Sequence, residues 1–162
     1  MFRLAPIVLG IVLTGVLIGI GSPAKAGAVQ PIQLWLPWEG GSLWTYTQGP
    51  HGQDLEALDL QPPDAAGKPC EVFHSSFWVT AAADGTVTDI PNAVEIDHGG
   101  GFSSVYYHLE NKQVKTGDHV KVGDRLGTPG CCPDGAGLDG CSATAPHLHF
   151  YVTFNGARLP AL

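Results

Sequence analysis

Basic residues are scarce in this chain of 162 residues: eight Lys and Arg stand against fifteen Asp and Glu, which gives a formal net charge of −7. A nucleic-acid-binding surface needs clustered positive charge to neutralise phosphates, so this composition argues against nucleic acid as a partner. The same acidity disfavours strong electrostatic binding to anionic wall polymers or membrane surfaces. It leaves neutral or cationic peptides open as substrates.

The long apolar run at the start of the chain is typical of an export signal. Arg3 precedes an apolar stretch from Leu4 to Ile20, and "SPAKA" follows, with small residues at Ala24 and Ala26. We expect cleavage after Ala26, which removes two basic residues and lowers the formal charge from −7 to −9. The alternative, an uncleaved membrane anchor, is disfavoured because the run is short for a membrane span. No cysteine follows it to carry a bacterial lipid anchor. The sequence therefore predicts a secreted, extracytoplasmic bacterial protein that leaves the membrane after signal cleavage.

A C-x-x-C pair is also absent, which disfavours a structural zinc site among the cysteines. The chain has Cys70, Cys131, Cys132 and Cys141. In an exported chain the expected state of an even set of cysteines is disulfide-bonded. A bond between the neighbours Cys131 and Cys132 would strain the peptide between them. We therefore expect Cys70 to pair with one of the two and Cys141 with the other.

Long helical patterns are missing after the signal, where short β-branched or aromatic runs alternate with Gly- and Pro-containing turns. Asp84-Gly85 is a hairpin signal between two of these runs. We see no internal repeat and no linker, so the sequence predicts one all-β domain, with antiparallel sheets packed on one core. The domain would span residues 27–162, with a short N-terminal extension over 27–42. The predicted strands begin at Leu43, Glu56, Phe77, Gly85, Ala93, Phe102, Val120 and His147.

Two histidines lie one residue apart in the last of these strands, within "TAPHLHFYV". Side chains alternate along a strand, so His147 and His149 share one face and Leu148 points to the other. This arrangement suits a metal site. A pair of hydrogen-bonded core histidines would show the same pattern, so a metal site needs partners elsewhere in the chain.

The segment "GPHGQDLEALDLQPP" offers such partners. His51 lies in a Gly-Pro turn, and Asp59 lies in a strand-like run between two leucines. A carboxylate in an apolar strand is costly unless it is paired or binds a metal, which favours Asp59 over Asp54. Asp54 lies in the turn itself, where capping the turn explains it.

Several motifs in order resemble the lysostaphin-like zinc metallopeptidases, which cut bacterial cell-wall peptides, and above all their β-lytic branch. The resemblance extends from about Trp44 to Phe154. It rests on "TQGPHG", "ALDL", "VTAAADGTV", "EIDHGGGFSSVYYHL", "VKTGDHVKVGDRLGTPG" and "APHLHF". An ordered set of this kind is far more specific than any one motif.

The resemblance implies the lysostaphin-like, duplicated hybrid motif fold and one Zn²⁺ per chain, bound by His51, Asp59 and His149. It implies His108 and His147 as the catalytic histidines. Zinc held by such ligands activates water as a nucleophile. Histidine side chains in general can accept a proton from water near neutral pH, orient the water or stabilise the oxyanion, and the division of these roles between the two residues stays open.

The implied function is a monomeric zinc metalloendopeptidase, a peptidoglycan hydrolase that binds peptidoglycan peptides. Two alternatives stay open: an inactive domain of the same fold that binds the cell wall or activates an amidase, and an endopeptidase for Gly-rich peptides of proteins. The first motif departs from the frequent H-x-x-x-D pattern, because seven residues separate His51 from Asp59. This longer spacing occurs in the β-lytic branch.

Strand alternation in "SVYYHL" predicts that Tyr106 lies on the same face as His108 and that Tyr107 lies on the opposite face. Tyr106 is therefore the tyrosine that could line the site and donate a hydrogen bond. Packing in the core is the favoured alternative for its side chain.

Overall fold

The computed structural model describes residues 31–70, 74–90, 93–131, 143 and 145–161, and these ranges consist of strands, turns and loops. Among them, no helix is long and apolar enough to cross a membrane. The predicted export signal, Cys132 and Cys141 lie outside the described residues. The strands are β1 (Thr45–His51), β2 (Ala57–Gln61), β3 (Val79–Thr80), β4 (Gly85–Ile90), β5 (Ala93–Gly99), β6 (Phe102–Tyr107), β7 (Leu109–Glu110), β8 (His119–Val120), β9 (Arg125–Pro129), β10 (Leu148–Phe154) and β11 (Ala157–Arg158).

The strands form two antiparallel sheets. The larger has eight strands in the order β1-β2-β10-β6-β5-β4-β8, with β11 paired to β10, and the smaller has the order β3-β9-β7. One buried cluster joins both sheets, with Val79 and Leu126 from the smaller and Ile96, Tyr106 and Leu148 from the larger. The all-β prediction, with antiparallel sheets on a common core, is confirmed.

The hairpin predicted at Asp84-Gly85 is wrong. β3 pairs with β9 in the smaller sheet, whereas β4 pairs with β5 and β8 in the larger one. Asp84 instead accepts hydrogen bonds from the Val122 N–H and from Lys121 Nζ, each at 2.8 Å. Turn residues indicate where the chain reverses, but they do not specify which strand becomes the partner.

The chain contains an internal repeat that inspection of the sequence missed. "VKTGD" at 114–118 and "VKVGD" at 120–124 form two equal turns, six residues apart. In each, the Asp carboxylate accepts from the Lys N–H three residues earlier, at 3.0 and 2.8 Å. Each turn also makes two backbone hydrogen bonds of 2.9 Å with one residue of a neighbouring segment, which is Val87 for the first turn and Ala81 for the second. The Gly N–H donates to the carbonyl of that residue, and the N–H of that residue donates to the Asp carbonyl.

This repeat carries the chain from one sheet to the other. The sequence predicts one strand starting at Val120, but the structure has two: β8 lies in the larger sheet and β9 in the smaller. The glycines of the two turns have φ of +88° and +87°, a conformation that glycine adopts without steric cost. The repeated turns therefore serve as crossovers between the sheets.

The N-terminal segment lies along the smaller sheet. The Thr80 N–H donates to the Pro37 carbonyl at 3.0 Å, and the Trp35 N–H donates to the Ala82 carbonyl at 2.8 Å. Farther along, Arg125 Nε lies 2.6 Å from Glu39 Oε1 and its guanidinium lies 4.7 Å from the Trp78 ring centroid. These contacts dock the segment on β3 and β9.

A disulfide joins Cys70 to Cys131, with the two Cα atoms 5.7 Å apart. It confirms that Cys70 pairs with one of the two adjacent cysteines. The predicted bond of Cys141 lies outside the described residues. Next to this disulfide, Gly130 and His147 form an isolated bridge, and the His147 N–H donates to the Gly130 carbonyl at 3.1 Å. The disulfide thus anchors the chain close to the start of β10.

Candidate metal centre

Three adjacent strands bring together the predicted metal ligands. β2 lies between β1 and β10, and it carries Asp59. His149 on β10 lies directly opposite Asp59 in the ladder, and His51 ends β1 opposite Ala57. Neighbouring strands are about 4.8 Å apart, so side chains on one face of three strands can meet at one point. One ligand atom from each of these residues lies within 4.8 Å of the other two.

The Asp59 carboxylate is the centre of this cluster. Its Oδ1 lies 2.9 Å from His51 Nε2, 3.1 Å from His149 Nδ1 and 3.5 Å from His147 Nε2. Burial raises the pKa of the Asp59 carboxyl, but the hydrogen bond from His149 and the neighbouring His147 and His51 rings hold the pKa below its ordinary value. The carboxylate is therefore ionised at neutral pH, as a metal ligand must be. Asp54 lies exposed in the turn, outside this cluster.

The donor set fits a zinc ion. His51 Nε2 is buried and has no hydrogen-bond partner among the described residues, although Asp59 Oδ1 lies 2.9 Å away. An orphaned buried nitrogen is costly unless something else satisfies it. Two imidazoles and one carboxylate form a donor set that catalytic zinc takes, with a fourth position kept for water.

His108 and His147 lie beside the three ligand candidates. The His108 ring centroid is 4.7 Å from that of His147 and 5.9 Å from that of His149. His108 follows β6 with φ of +62°, a left-handed conformation that is uncommon for any residue but glycine. Burial, and after it the neighbouring His147 and His149, lower the pKa of His108 to about 4. The His147 Nδ1–H donates to the Ala145 carbonyl at 2.8 Å, which leaves Nε2 directed towards Asp59.

Tyr106 packs in the core, as the favoured alternative for its side chain predicted, and it does not line the groove. Tyr106 is fully buried, and its hydroxyl accepts from the Ala82 N–H and hydrogen bonds with Ser104 Oγ, each at 2.8 Å. Strand alternation fails here because β6 ends at Tyr107 and His108 adopts the left-handed conformation. Tyr107 therefore faces the groove.

Tyr107 and Tyr151 form a wall that sequence reasoning missed. Their ring centroids are 6.1 Å apart at 24°, and both rings meet the His149 ring nearly at right angles, at 5.7 and 6.0 Å. Tyr151 follows His149 by two positions in one strand, so alternation could have placed it on the same face. Burial raises the pKa of Tyr151 to about 12, so its hydroxyl stays protonated at neutral pH.

A groove of about 790 Å³ contains the cluster. All five predicted site residues line it, together with the tyrosine wall and the ion pair of Glu56 and Arg158. The full lining is Thr47, Gln48, His51, Glu56, Asp59, Gln61, Tyr107, His108, Ala143, Ala145, His147, His149, Tyr151 and Arg158. An open groove with histidines at its base can accept an extended peptide.

Comparison with known proteins identifies relatives over most of this chain. Residues 73–160 match the sequence profile described as Peptidase family M23. Protease LasA of Pseudomonas aeruginosa is 32% identical over 136 residues, which is 83% of this chain and 32% of the relative. Beta-lytic metalloendopeptidase of Achromobacter lyticus is 28% identical over 144 residues, or 85% of this chain and 37% of the relative. The chain thus spans about a third of the length of these curated relatives.

Two further matches bear on the substrate and the fold. Peptidoglycan DD-endopeptidase ShyC of Vibrio cholerae is 37% identical over 84 residues, 48% of this chain and 18% of the relative. The solved structure of pseudoalterin, described as an M23 metalloprotease from the deep sea, superposes with a TM-score of 0.63 at 27% identity, covering 80% of this chain and 75% of that one. His51 and Asp59 precede the segment that matches the family profile, so their assignment relies on the geometry of the groove.

Proposed function

The chain belongs to peptidase family M23, and from this premise we propose that it is a secreted zinc metalloendopeptidase that hydrolyses peptide bonds of bacterial peptidoglycan. The observation that carries the proposal is the meeting of two imidazoles and one carboxylate on three adjacent strands, with two more histidines beside them. Relatives named as a protease, a metalloendopeptidase and a peptidoglycan endopeptidase support the reaction and the substrate class.

His51, Asp59 and His149 would hold the zinc ion. Bound zinc supplies a Lewis acid that polarises a peptide carbonyl and makes a water molecule acidic near neutral pH. The single carboxylate of Asp59 leaves the centre with a net positive charge, which favours this chemistry.

His108 and His147 would move protons beside the metal. The backbone hydrogen bond at Nδ1 fixes the His147 tautomer, so that its Nε2 accepts a proton or a hydrogen bond within the groove. His108 is mostly buried, and its Nδ1 has no hydrogen-bond partner among the described residues. One imidazole can thus take the proton of the attacking water, and the other can stabilise the oxyanion or protonate the leaving amine.

The test compares two substrates with the same purified, zinc-loaded chain. Isolated peptidoglycan and a glycine-rich protein are digested side by side, and the new termini are identified by mass spectrometry. We expect cleaved peptides from peptidoglycan and complete loss of cleavage after chelation, with recovery when zinc is restored. A chain that binds zinc and cleaves neither substrate would contradict the endopeptidase, and cleavage of the glycine-rich protein alone would contradict peptidoglycan as the substrate.

A further inference from the structure

The position of His51 is not set by the sheet alone. The β1–β2 ladder shifts register between Tyr46 and Gln48 and again between Gln48 and His51. The turn that follows, residues 52–56, belongs to the long segment between His51 and Asp59. Regular ladder pairing fixes side-chain positions closely, whereas irregular pairing leaves them to other contacts. Some other contact must therefore hold His51 against Asp59.

Glu56, the last residue of this turn, supplies that contact. Its side chain is buried, with the residue only 3% exposed, and Oε2 accepts from the Asp54 N–H at 3.0 Å. The carboxylate lies directly against Gly52, since a Cβ added there would be 2.6 Å from the Glu56 carboxyl carbon. Gly52 follows His51 and has φ of +94°, which glycine tolerates best. The turn is thus folded around one buried carboxylate.

Arg158, in β11, forms an ion pair with the Glu56 carboxylate. Its Nη1 donates to Glu56 Oε1 at 2.6 Å, and its guanidinium lies 5.3 Å from the centroid of the Tyr151 ring. Beyond it, the Ala161 N–H donates to the Leu55 carbonyl at 3.0 Å. A buried carboxylate is stable only when it is paired and hydrogen-bonded. The C-terminal segment therefore secures the turn that carries His51.

We propose that the Glu56–Arg158 ion pair is a positioning device, which holds His51 where it can share a metal ion with Asp59 and His149. The inference rests on the proposed function for the identity of the metal. Neither residue is among the three ligand candidates, so both act through the turn. Partners that orient a metal ligand without binding the metal typically contribute 10–100-fold to metal affinity.

The experiment measures zinc affinity, by competition with a chromophoric chelator, and thermal unfolding of the metal-free full-length chain. Arg158→Met and Glu56→Gln should each weaken zinc binding about 10–100-fold. Arg158→Lys, which keeps the charge but not the guanidinium fork, should recover part of the affinity. Because Arg158→Met leaves a buried carboxylate unpaired, the double variant Glu56→Gln/Arg158→Met removes both charges and separates metal affinity from folding.

The matched control is Arg125→Met. Arg125 makes an equally short ion pair with Glu39 and also lies over an aromatic ring, that of Trp78, but on the smaller sheet. The Arg125→Met variant should leave zinc affinity unchanged.

The proposal is overturned if the double variant binds zinc as tightly as the wild type, or if its affinity falls no further than that of Arg125→Met. Normal zinc affinity in Arg158→Met with a raised KM would also overturn it, by assigning Arg158 to the substrate. A wild-type chain that binds no zinc would overturn both this inference and the proposed zinc site, whereas equal binding by all variants would overturn this inference alone.

Discussion

The immediate contacts of the four histidines and the aspartate at the groove support the role proposed for each side chain. Asp59 is surrounded by three imidazoles within 3.5 Å, so it is the residue on which the others converge. His108 is held apart from this contact by the left-handed backbone that ends β6. The proposed division between ligands and catalytic histidines can therefore be tested one residue at a time.

The first test separates His149 from His108. His149→Ala should abolish stoichiometric zinc binding, because it removes one of three protein ligands. His108→Ala should keep the metal and lower kcat by about 10²–10⁴-fold, the usual contribution of a general acid or base. Zinc content by atomic absorption and hydrolysis of peptidoglycan are measured on the same preparations. Equal loss of zinc in both variants would contradict the assignment.

The second test separates the two aspartates of the first motif. Asp59→Ala should lose zinc, since the buried carboxylate is a proposed ligand and lies within 3.1 Å of both His51 and His149. Asp54→Ala should retain it, because the Asp54 contact to Glu56 comes from the backbone N–H and survives the substitution. Zinc retained in the first variant and lost in the second would reverse the two roles.

At the scale of the element, the two repeated turns show how a short pattern builds the fold. Both place a glycine at positive φ and tie it to a neighbouring segment by the same pair of backbone hydrogen bonds. Apart from the adjacent residues in the chain, no heavy atom of the described residues lies within 4 Å of a Cβ added at Gly117 or Gly123. The glycines are therefore required by backbone conformation and not by space.

Gly117→Ala and Gly123→Ala should consequently destabilise the protein equally, by about 1–2 kcal/mol each, the cost of a left-handed backbone for an L-residue. Urea unfolding with tryptophan fluorescence measures the change. Val122→Ala is the control: this exposed residue lies in the second turn, and its loss should cost less than about 0.5 kcal/mol. Unequal costs at the two glycines would show that the turns are not equivalent.

At the scale of the whole molecule, the core and the metal centre are separate. The buried cluster that joins the two sheets contains none of the three ligand candidates, which lie at the groove where β1, β2 and β10 meet. Core burial at roughly 25 cal/mol per Å² of apolar surface stabilises the fold without help from an ion. We therefore expect the fold to be stable without an ion at the candidate metal centre.

Removing the metal should therefore leave the fold intact. In chelator, the chain should keep its β-sheet circular dichroism and a cooperative thermal transition. Adding zinc at 100 times its Kd should raise the free energy of unfolding by about 2.7 kcal/mol through mass action. Loss of the cooperative transition in chelator would show instead that the ion is part of the folding core.

Most of the side chains at the groove could be predicted from the sequence, because local patterns indicate them. Alternation predicted that His147 and His149 share one face, and both line the groove. A carboxylate between two leucines indicated Asp59. The family resemblance, confirmed by the profile match, implied the fold and proposed the five site residues, all of which line the groove. The Asp84-Gly85 hairpin and the face assigned to Tyr106 failed, because the partner of a strand and the residue at which its alternation ends depend on distant contacts.

The sequence by itself determined the all-β class, the acidic character and the set of side chains available for metal chemistry, since composition, alternation and turn residues are local properties of the chain. Only the tertiary structure decided that β2 lies between β1 and β10, that Tyr107 rather than Tyr106 faces the groove, and that Arg158 pairs with Glu56 next to the turn after His51. Strand order and register are set by packing between residues far apart in sequence, and no local pattern encodes them.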